Sequence, residues 1–262
     1  MSSSPVRSAS PSTPAAAAAR SERAVEAPAV SFVIPVFNEA ESLPLLHAEI
    51  RDVARAAGLD YEIVFVDDGS TDGSADVIRS LAREDRGVRY ARFRSNQGQT
   101  AAMDAGFRRA RGRVVVTLDA DLQNDPKDVP RLLAALEGCD VVCGVRAKRR
   151  DTLVRRVSSR VANGIRNWLT DEKITDVGCS LKAYKRECFA RLKLYEGMHR
   201  FLPTLLKIEG YAVKEIPVNH RPRQKGVSKY GVWNRAFKAL RDCLAVRWMK
   251  RRALRYVVED ET

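Results

Sequence analysis

The 262-residue chain contains no apolar run near the length that crosses a bilayer, about 18 residues or more. Its start lacks a basic segment followed by an apolar stretch of about 7 to 15 residues, since Ala15 to Ala19 is short and only weakly hydrophobic. A cytoplasmic protein that does not span the membrane is therefore expected. No Gly-x-Gly-x-x-Gly follows the first predicted strand and no Gly-x-x-x-x-Gly-Lys-Ser/Thr occurs, which disfavours a dinucleotide-dependent dehydrogenase and a P-loop ATPase. The segment Gly226-Val227-Ser228-Lys229 has the wrong spacing for a P-loop. Cys139, Cys143, Cys179, Cys188 and Cys243 are odd in number and include no Cys-x-x-Cys pair, so reduced, buried thiols are expected rather than zinc ligands or a disulfide framework.

What is present is a chain with 45% hydrophobic residues, long enough to bury one substantial core. Its 46 Lys and Arg outweigh 33 Asp and Glu, giving a formal charge of +13 that favours an anionic partner: a phosphate-bearing substrate, a membrane surface or nucleic acid. Residues 1–28, rich in Ser, Pro and Ala, have the composition of a disordered tail. From Val30 onward, short apolar runs alternate with amphipathic segments. The predicted strands are Val30 to Ile34, Tyr61 to Val66, Val88 to Phe93, Arg113 to Leu118 and Asp140 to Cys143, and the predicted helices are 42–57, 73–85, 98–110 and 126–137. This alternation implies an α/β fold with a mostly parallel sheet flanked by helices.

Ligands of such sheets bind beyond the carboxyl ends of the strands. Pro35 to Glu39 follow the first strand, Asp67-Asp68-Gly69-Ser70 the second, and Asp119-Ala120-Asp121-Leu122-Gln123 the fourth. Side chains two apart on an extended backbone share a face. On that basis Asp119, Asp121 and Gln123 converge, offering hard oxygen ligands to Mg²⁺ or Mn²⁺ and the phosphates of a nucleotide. A solvated turn, which Asp125-Pro126 also suggests, is the plain alternative.

Taken together, Ile34-Pro35-Val36-Phe37-Asn38-Glu39, Val66-Asp67-Asp68-Gly69-Ser70-Thr71-Asp72-Gly73, Asn96-Gln97-Gly98 and Asp119-Ala120-Asp121-Leu122-Gln123 resemble the ordered motifs of family 2 glycosyltransferases. Gly144-Val145-Arg146, Asp176-Val177-Gly178-Cys179 and Arg223-Gln224-Lys225-Gly226-Val227-Ser228-Lys229-Tyr230 resemble its polyprenyl-phosphate branch, typified by dolichyl-phosphate mannose synthase. The resemblance covers about residues 30–230 and implies a GT-A type nucleotide-sugar-binding fold, with a catalytic domain over 29–230. It implies Pro35, Phe37, Glu39, Val66 and Asp68 around the base and ribose; Asp119 and Ala120 on the donor; and Asp119, Asp121 and Gln123 as metal ligands. It further implies Arg146, Arg223 and Lys229 as a diphosphate clamp, a chemistry that suits guanidinium and ammonium groups. Phe37 stands where some relatives carry Tyr.

The implied reaction moves a sugar from a nucleotide diphosphate sugar, with UDP favoured over GDP, to a polyprenyl phosphate in one inverting displacement. Asp121, Arg146 and Asp176 are its expected catalytic groups. Arg156, Ser159, Arg160 and Arg200 are candidates for the acceptor phosphate, although the first three also fit the polar face of a helix over 153–169 whose apolar face includes Trp168. His199 is not required by this chemistry. A hydroxyl acceptor is the alternative, with Asp176 as the base.

Trp233, Phe237, Leu240, Leu244 and Trp248 recur every three or four residues, predicting an amphipathic helix in the segment 231–262. Between Arg221 and Arg255 lie 12 Lys or Arg and one acidic residue, Asp242. Such a helix suits the bilayer interface, where each basic residue contributes about 1 kcal/mol near anionic lipid. Packing of the stripe on the catalytic domain or on a second copy is the alternative, and a membrane protein partner is a further candidate anchor. The acidic motifs have no role in nucleic-acid binding, so no nucleic-acid partner is expected.

Overall fold

The computed structural model describes residues 27–146, 164, 167–170, 172, 174–222 and 233–254, the last span without side chains over 233–239. Strands β1 (Val30–Val36), β2 (Tyr61–Asp67), β3 (Val88–Arg92) and β4 (Val114–Thr117) alternate with helices α1 (Leu43–Ala56), α2 (Ser74–Glu84) and α3 (Gln99–Arg109). They continue into α4 (Val129–Ala135), β5 (Val141–Arg146), β6 (Lys182–Lys185), α5 (Leu202–Ile208), β7 (Val213–Val218) and α6 (Trp233–Arg252).

One seven-stranded sheet runs in the order β3-β2-β1-β4-β6-β5-β7. The first four strands are parallel, as the alternating pattern requires. Strand β6 departs from it. It lies antiparallel between β4 and β5, while β7 pairs parallel to β5 at the edge. Neither β6 nor β7 was legible in the apolar pattern, because Lys182-Ala183-Tyr184-Lys185 and Val213-Lys214-Glu215-Ile216 carry charges within four-residue windows. The predicted helix over 126–137 resolves into a 3-10 turn at Pro126–Asp128 and the shorter α4, since Pro130 opens the helix at its first turn.

Both sheet faces are covered, which is why the middles of β1 and β2 are apolar, while the buried Ser31 and Glu62 near their starts hydrogen-bond each other. Phe32, Ile34, Ile63 and Phe65 face one layer, packed with residues of α1, α2 and α4. Val33, Val64 and Val66 face the other, against Ala102, Met103 and Phe107 of α3. The five cysteines are free and buried. Burial pushes Cys143 and Cys188 up to about 12, so neither supplies a thiolate.

Helix α3 approaches β1 so closely that a Cβ on Gly106 would collide with Cγ1 of the fully buried Val33. Gly106→Ala is expected to destabilise the fold by about 1–3 kcal/mol, the usual cost of overpacking. Urea unfolding measures this, and an unchanged midpoint would contradict the close packing.

Candidate active site

The loops beyond β1, β2 and β4 meet along the carboxyl edge of the sheet, and main-chain groups fasten them together. Asn38, at a positive φ of 56°, donates its N–H to Ser70 Oγ, and its Oδ1 accepts from Thr71 N–H. Ser74 Oγ accepts the Glu39 N–H, while Asp72 accepts from Ala40 N–H and from Ser74. The Pro35–Glu39 and Asp67–Gly73 motifs, 32 residues apart, are thus one surface. Pro35 and Val66 are register partners in β1 and β2.

Asp68 reaches the other way. Its carboxylate accepts from Gln97 N–H at 2.6 Å, Gly98 N–H at 2.9 Å and Asn96 Nδ2 at 2.9 Å. Burial still holds its pKa above the ordinary aspartate value, against the lowering effect of the two backbone donors. Gly69, at φ +74°, lets the turn pass the Ser95–Asn96 backbone, where a Cβ would lie 2.6 Å from the Ser95 carbonyl carbon. Asp67 accepts from Ser70 N–H and pairs with Arg92 at 3.1 Å.

The Asp119–Gln123 segment differs from the extended geometry expected of it. Strand β4 ends at Thr117, and the chain turns through Ala120 to Leu122, which sits at φ 62°. Alternation along a strand therefore does not govern these side chains; they are carried on one turn. Asn124 holds it, its buried Oδ1 accepting from Asp119 N–H at 3.1 Å and Ser180 Oγ at 2.7 Å. Gln123 N–H donates to Asp121 Oδ1, and Gln99 Nε2 donates to Asp119 Oδ1. Among the described residues no three His, Cys, Asp or Glu side chains form a ready metal cluster. The donor set here is instead two carboxylates and an amide oxygen on one turn, which suits a hard divalent cation that takes its remaining ligands from phosphates and water.

Val66 and Ala120 have their side chains in the core, so only their main chains are available to a donor. Phe37 and Glu39 are half-buried on the joined loops. Arg146 and Asp176, both expected as catalytic groups, form a pair. Arg146 Nε and Nη2 donate to the two carboxylate oxygens at 2.7 and 2.8 Å. Arg200 is exposed after β6. Arg156, Ser159, Arg160, Arg223 and Lys229 lie outside the described residues. The chain leading to the last two is anchored at the site, however. Asn124 bridges to His220, and Arg221 donates its N–H to the Gln123 carbonyl while its guanidinium pairs with Glu49 and Asp125.

Asn124 and Gln99 escape a reading of the sequence, although they adjoin the Asp119–Gln123 and Asn96–Gly98 motifs. His199, set aside there as not required, carries no local signal of its partner. Its Nδ1 lies 2.7 Å from Thr100 Oγ1, at the first turn of α3. Burial, reinforced by the positive charges of Arg200 and Lys182, lowers its pKa to about 3. A separate cavity of about 880 Å³, lined by Phe107, Arg113, Phe189 and Leu194, opens near the amino end of β4, the edge opposite the motifs.

Comparison with known proteins bears on the family and the fold. Residues 31–193 match the family model for glycosyl transferase family 2. Dodecaprenyl-phosphate galacturonate synthase of Rhizobium johnstonii is 38% identical over 85% of this chain and 67% of its own length. Undecaprenyl-phosphate 4-deoxy-4-formamido-L-arabinose transferase of Edwardsiella ictaluri is 42% identical over 78% of this chain. The chain spans 63% of that second relative. Glucosyl-3-phosphoglycerate synthase from Mycobacterium tuberculosis, solved with Mn²⁺, UDP and phosphoglyceric acid, aligns with TM-score 0.64 at 20% identity, covering 87% of this chain and 80% of that one. The sheet and its flanking helices are accordingly a GT-A type fold.

His199 is neutral in the fold where the unfolded chain, with a pKa of about 6.5, would bind a proton. Its contribution to stability is therefore present above pH 6.5 and lost progressively as pH falls toward 3. Melting temperature should drop over that window, and less steeply in His199→Gln; an identical slope in the variant would contradict the assignment.

Proposed function

Because the chain belongs to glycosyl transferase family 2, we propose that it moves a sugar from a nucleoside diphosphate sugar to a polyprenyl monophosphate, at the cytoplasmic face of a membrane. The observation that carries this reading is the 38% identity, over 85% of the chain, to a dodecaprenyl-phosphate galacturonate synthase. UDP-sugars are favoured over GDP-sugars as donors.

The joined loops of Pro35, Phe37, Glu39, Val66 and Asp68 hold the base and ribose. Asp119, Asp121 and Gln123 would hold Mg²⁺ or Mn²⁺, whose charge neutralises the diphosphate. Arg146, aimed by Asp176, acts on the leaving diphosphate with Arg223 and Lys229, supplying fixed positive charge where negative charge develops. Arg156, Ser159, Arg160 and Arg200 receive the acceptor phosphate.

A phosphate monoester with a second pKa of about 6 is already ionised at neutral pH, so it attacks the anomeric carbon without a general base. Holding the two reactants in line then does much of the remaining work. One displacement inverts the anomeric centre. The Arg146–Asp176 pair supports this over a hydroxyl acceptor, because a carboxylate with both oxygens engaged by a guanidinium is poorly disposed to remove a proton.

Among the described residues no helix is long and apolar enough to cross a membrane. Helix α6 packs Cys243 and Val246 inward against Leu169, Met198, Phe201 and Leu205. Leu240, Leu244 and Trp248, the stripe expected to pack or to meet lipid, stay exposed, Trp248 at 64%, beside Arg251 and Arg252. Trp168 is also exposed. Trp233 and Phe237 carry no described side chains. An apolar stripe rimmed by cations supports docking on anionic lipid.

A screen of nucleotide sugars with undecaprenyl phosphate and Mg²⁺ or Mn²⁺ should yield a glycosylated lipid with inverted anomeric configuration by NMR. Asp121→Asn should lower kcat by about 100-fold or more. Turnover only on hydroxyl acceptors, or full activity in the variant, would overturn the reading. In flotation assays the protein should rise with anionic liposomes and Trp248→Glu should weaken that; equal flotation would instead leave a membrane protein partner or a second copy as the anchor.

A further inference from the structure

Lys182 is 4% exposed, yet among the described residues its ammonium meets a single hydrogen-bond acceptor, the carbonyl oxygen of Cys179. An ammonium has three donors, and a buried charge without a counter-ion is costly. Strand register sets Lys182 beside Thr117, the last residue of β4, and beside Cys143 of β5. Its charge is felt by Cys179 together with those of Arg146 and Asp176, and by His199 together with that of Arg200. Lys182 therefore lies at the carboxyl edge of the sheet, near enough to Cys179 and to His199 for its charge to act on both.

His199 presents a complementary group. Thr100 Oγ1 accepts the Gly197 N–H at 3.0 Å. Donation of the threonine hydroxyl proton to His199 Nδ1 completes that chain and leaves the imidazole proton on Nε2. The low pKa keeps the ring neutral, so Nε2 is a fixed donor throughout the physiological range. No protein group among the described residues meets Nε2.

We propose that Lys182 Nζ and His199 Nε2–H together form an anion site that grips the phosphate of the lipid acceptor. This rests on the polyprenyl-phosphate reading above. Its place in the fold favours the acceptor over the donor. The turn bearing His199 is wedged between α3 and α6, where Asp242 lies so close to Gly197 that a Cβ there would sit 2.7 Å from its Oδ2. Met198 and Phe201 of the same turn pack under Cys243 and Val246. The exposed Leu240–Trp248 stripe is on that helix, so a headgroup delivered by lipid arrives at this turn, while the base and ribose loops lie toward β1 and β2. An arriving phosphate supplies the counter-charge that Lys182 lacks.

The test is steady-state kinetics in detergent, varying donor and undecaprenyl phosphate separately, for the full chain and for Lys182→Met, Lys182→Arg, His199→Leu and His199→Gln. The acceptor KM should rise about tenfold or more in Lys182→Met and His199→Leu, with the donor KM held within about twofold, the pattern of a lost charge-assisted contact to one substrate. Lys182→Arg and His199→Gln, which keep a cation and an N–H donor, should recover most of the loss. Replacing an under-paired buried cation by Met should leave the melting temperature unchanged or raised, whereas a structural lysine would lower it. An unchanged acceptor KM, or a donor KM that rises in step, overturns the proposal. Should Lys182→Met fail to fold, the two His199 variants decide by the same criterion. Absence of transfer to polyprenyl phosphate by the unaltered chain would defeat the functional reading itself, a separate result.

Discussion

The Asp68 carboxylate is the interaction on which the site depends. Standing at the end of β2, it takes three hydrogen bonds from the Asn96–Gly98 segment and so fixes the start of α3. Two further contacts radiate from that start. Gln99 reaches Asp119 in the loop after β4, and Thr100 reaches His199 after β6. A buried carboxylate satisfied by main-chain donors is costly to move, because displacement strands both the charge and the amides. Loops from the second, third, fourth and sixth strands are in this way referred to one anchor. The glycines around it serve the same end: Gly69 permits the close passage of two backbones that a side chain would push apart.

On the far side of the same edge, positive charge is positioned by carboxylates. Asp176 orients Arg146, and Glu49 with Asp125 orient Arg221 at the entry to residues 223–230. Under the proposed function, these fixed guanidinium groups around a carboxylate-bearing turn would frame a diphosphate, with positive charge at the rim and a cation shared at the centre. The C-terminal helix packs its inner face on the His199 turn while its outer face stays apolar and basic-rimmed, the side that the proposed function turns toward lipid.

Much of this was legible in the sequence, for identifiable reasons. Mostly apolar runs announced β1, β2 and β4, because strands buried on both faces admit only polar residues that find a partner, as Ser31 and Glu62 do. The motif loops were legible because turn chemistry needs particular residues: Asn38 at positive φ, Gly69 at a close approach. Strand β6 was hidden, since a lysine that reads as solvent-facing is in fact enclosed. The extended geometry expected of Asp119–Gln123 failed because β4 stops at Thr117, before Asp119, and the positive φ at Leu122 leaves no trace in composition. The pairing of Arg146 with Asp176 is a contact between residues 30 apart, which no local pattern encodes. His199 was set aside as a lone histidine; only the fold brings Thr100, 99 residues away, against its ring.

The most direct measurement joins structure to binding at the anchor: amide hydrogen exchange over residues 95–100 together with calorimetric affinity for UDP and GDP, in the unaltered chain and in Asp68→Asn. The account predicts that the variant loses protection at the Gln97 and Gly98 amides and loses nucleotide affinity along with it. Retained affinity in a variant whose Asn96–Gly98 segment exchanges freely would contradict it.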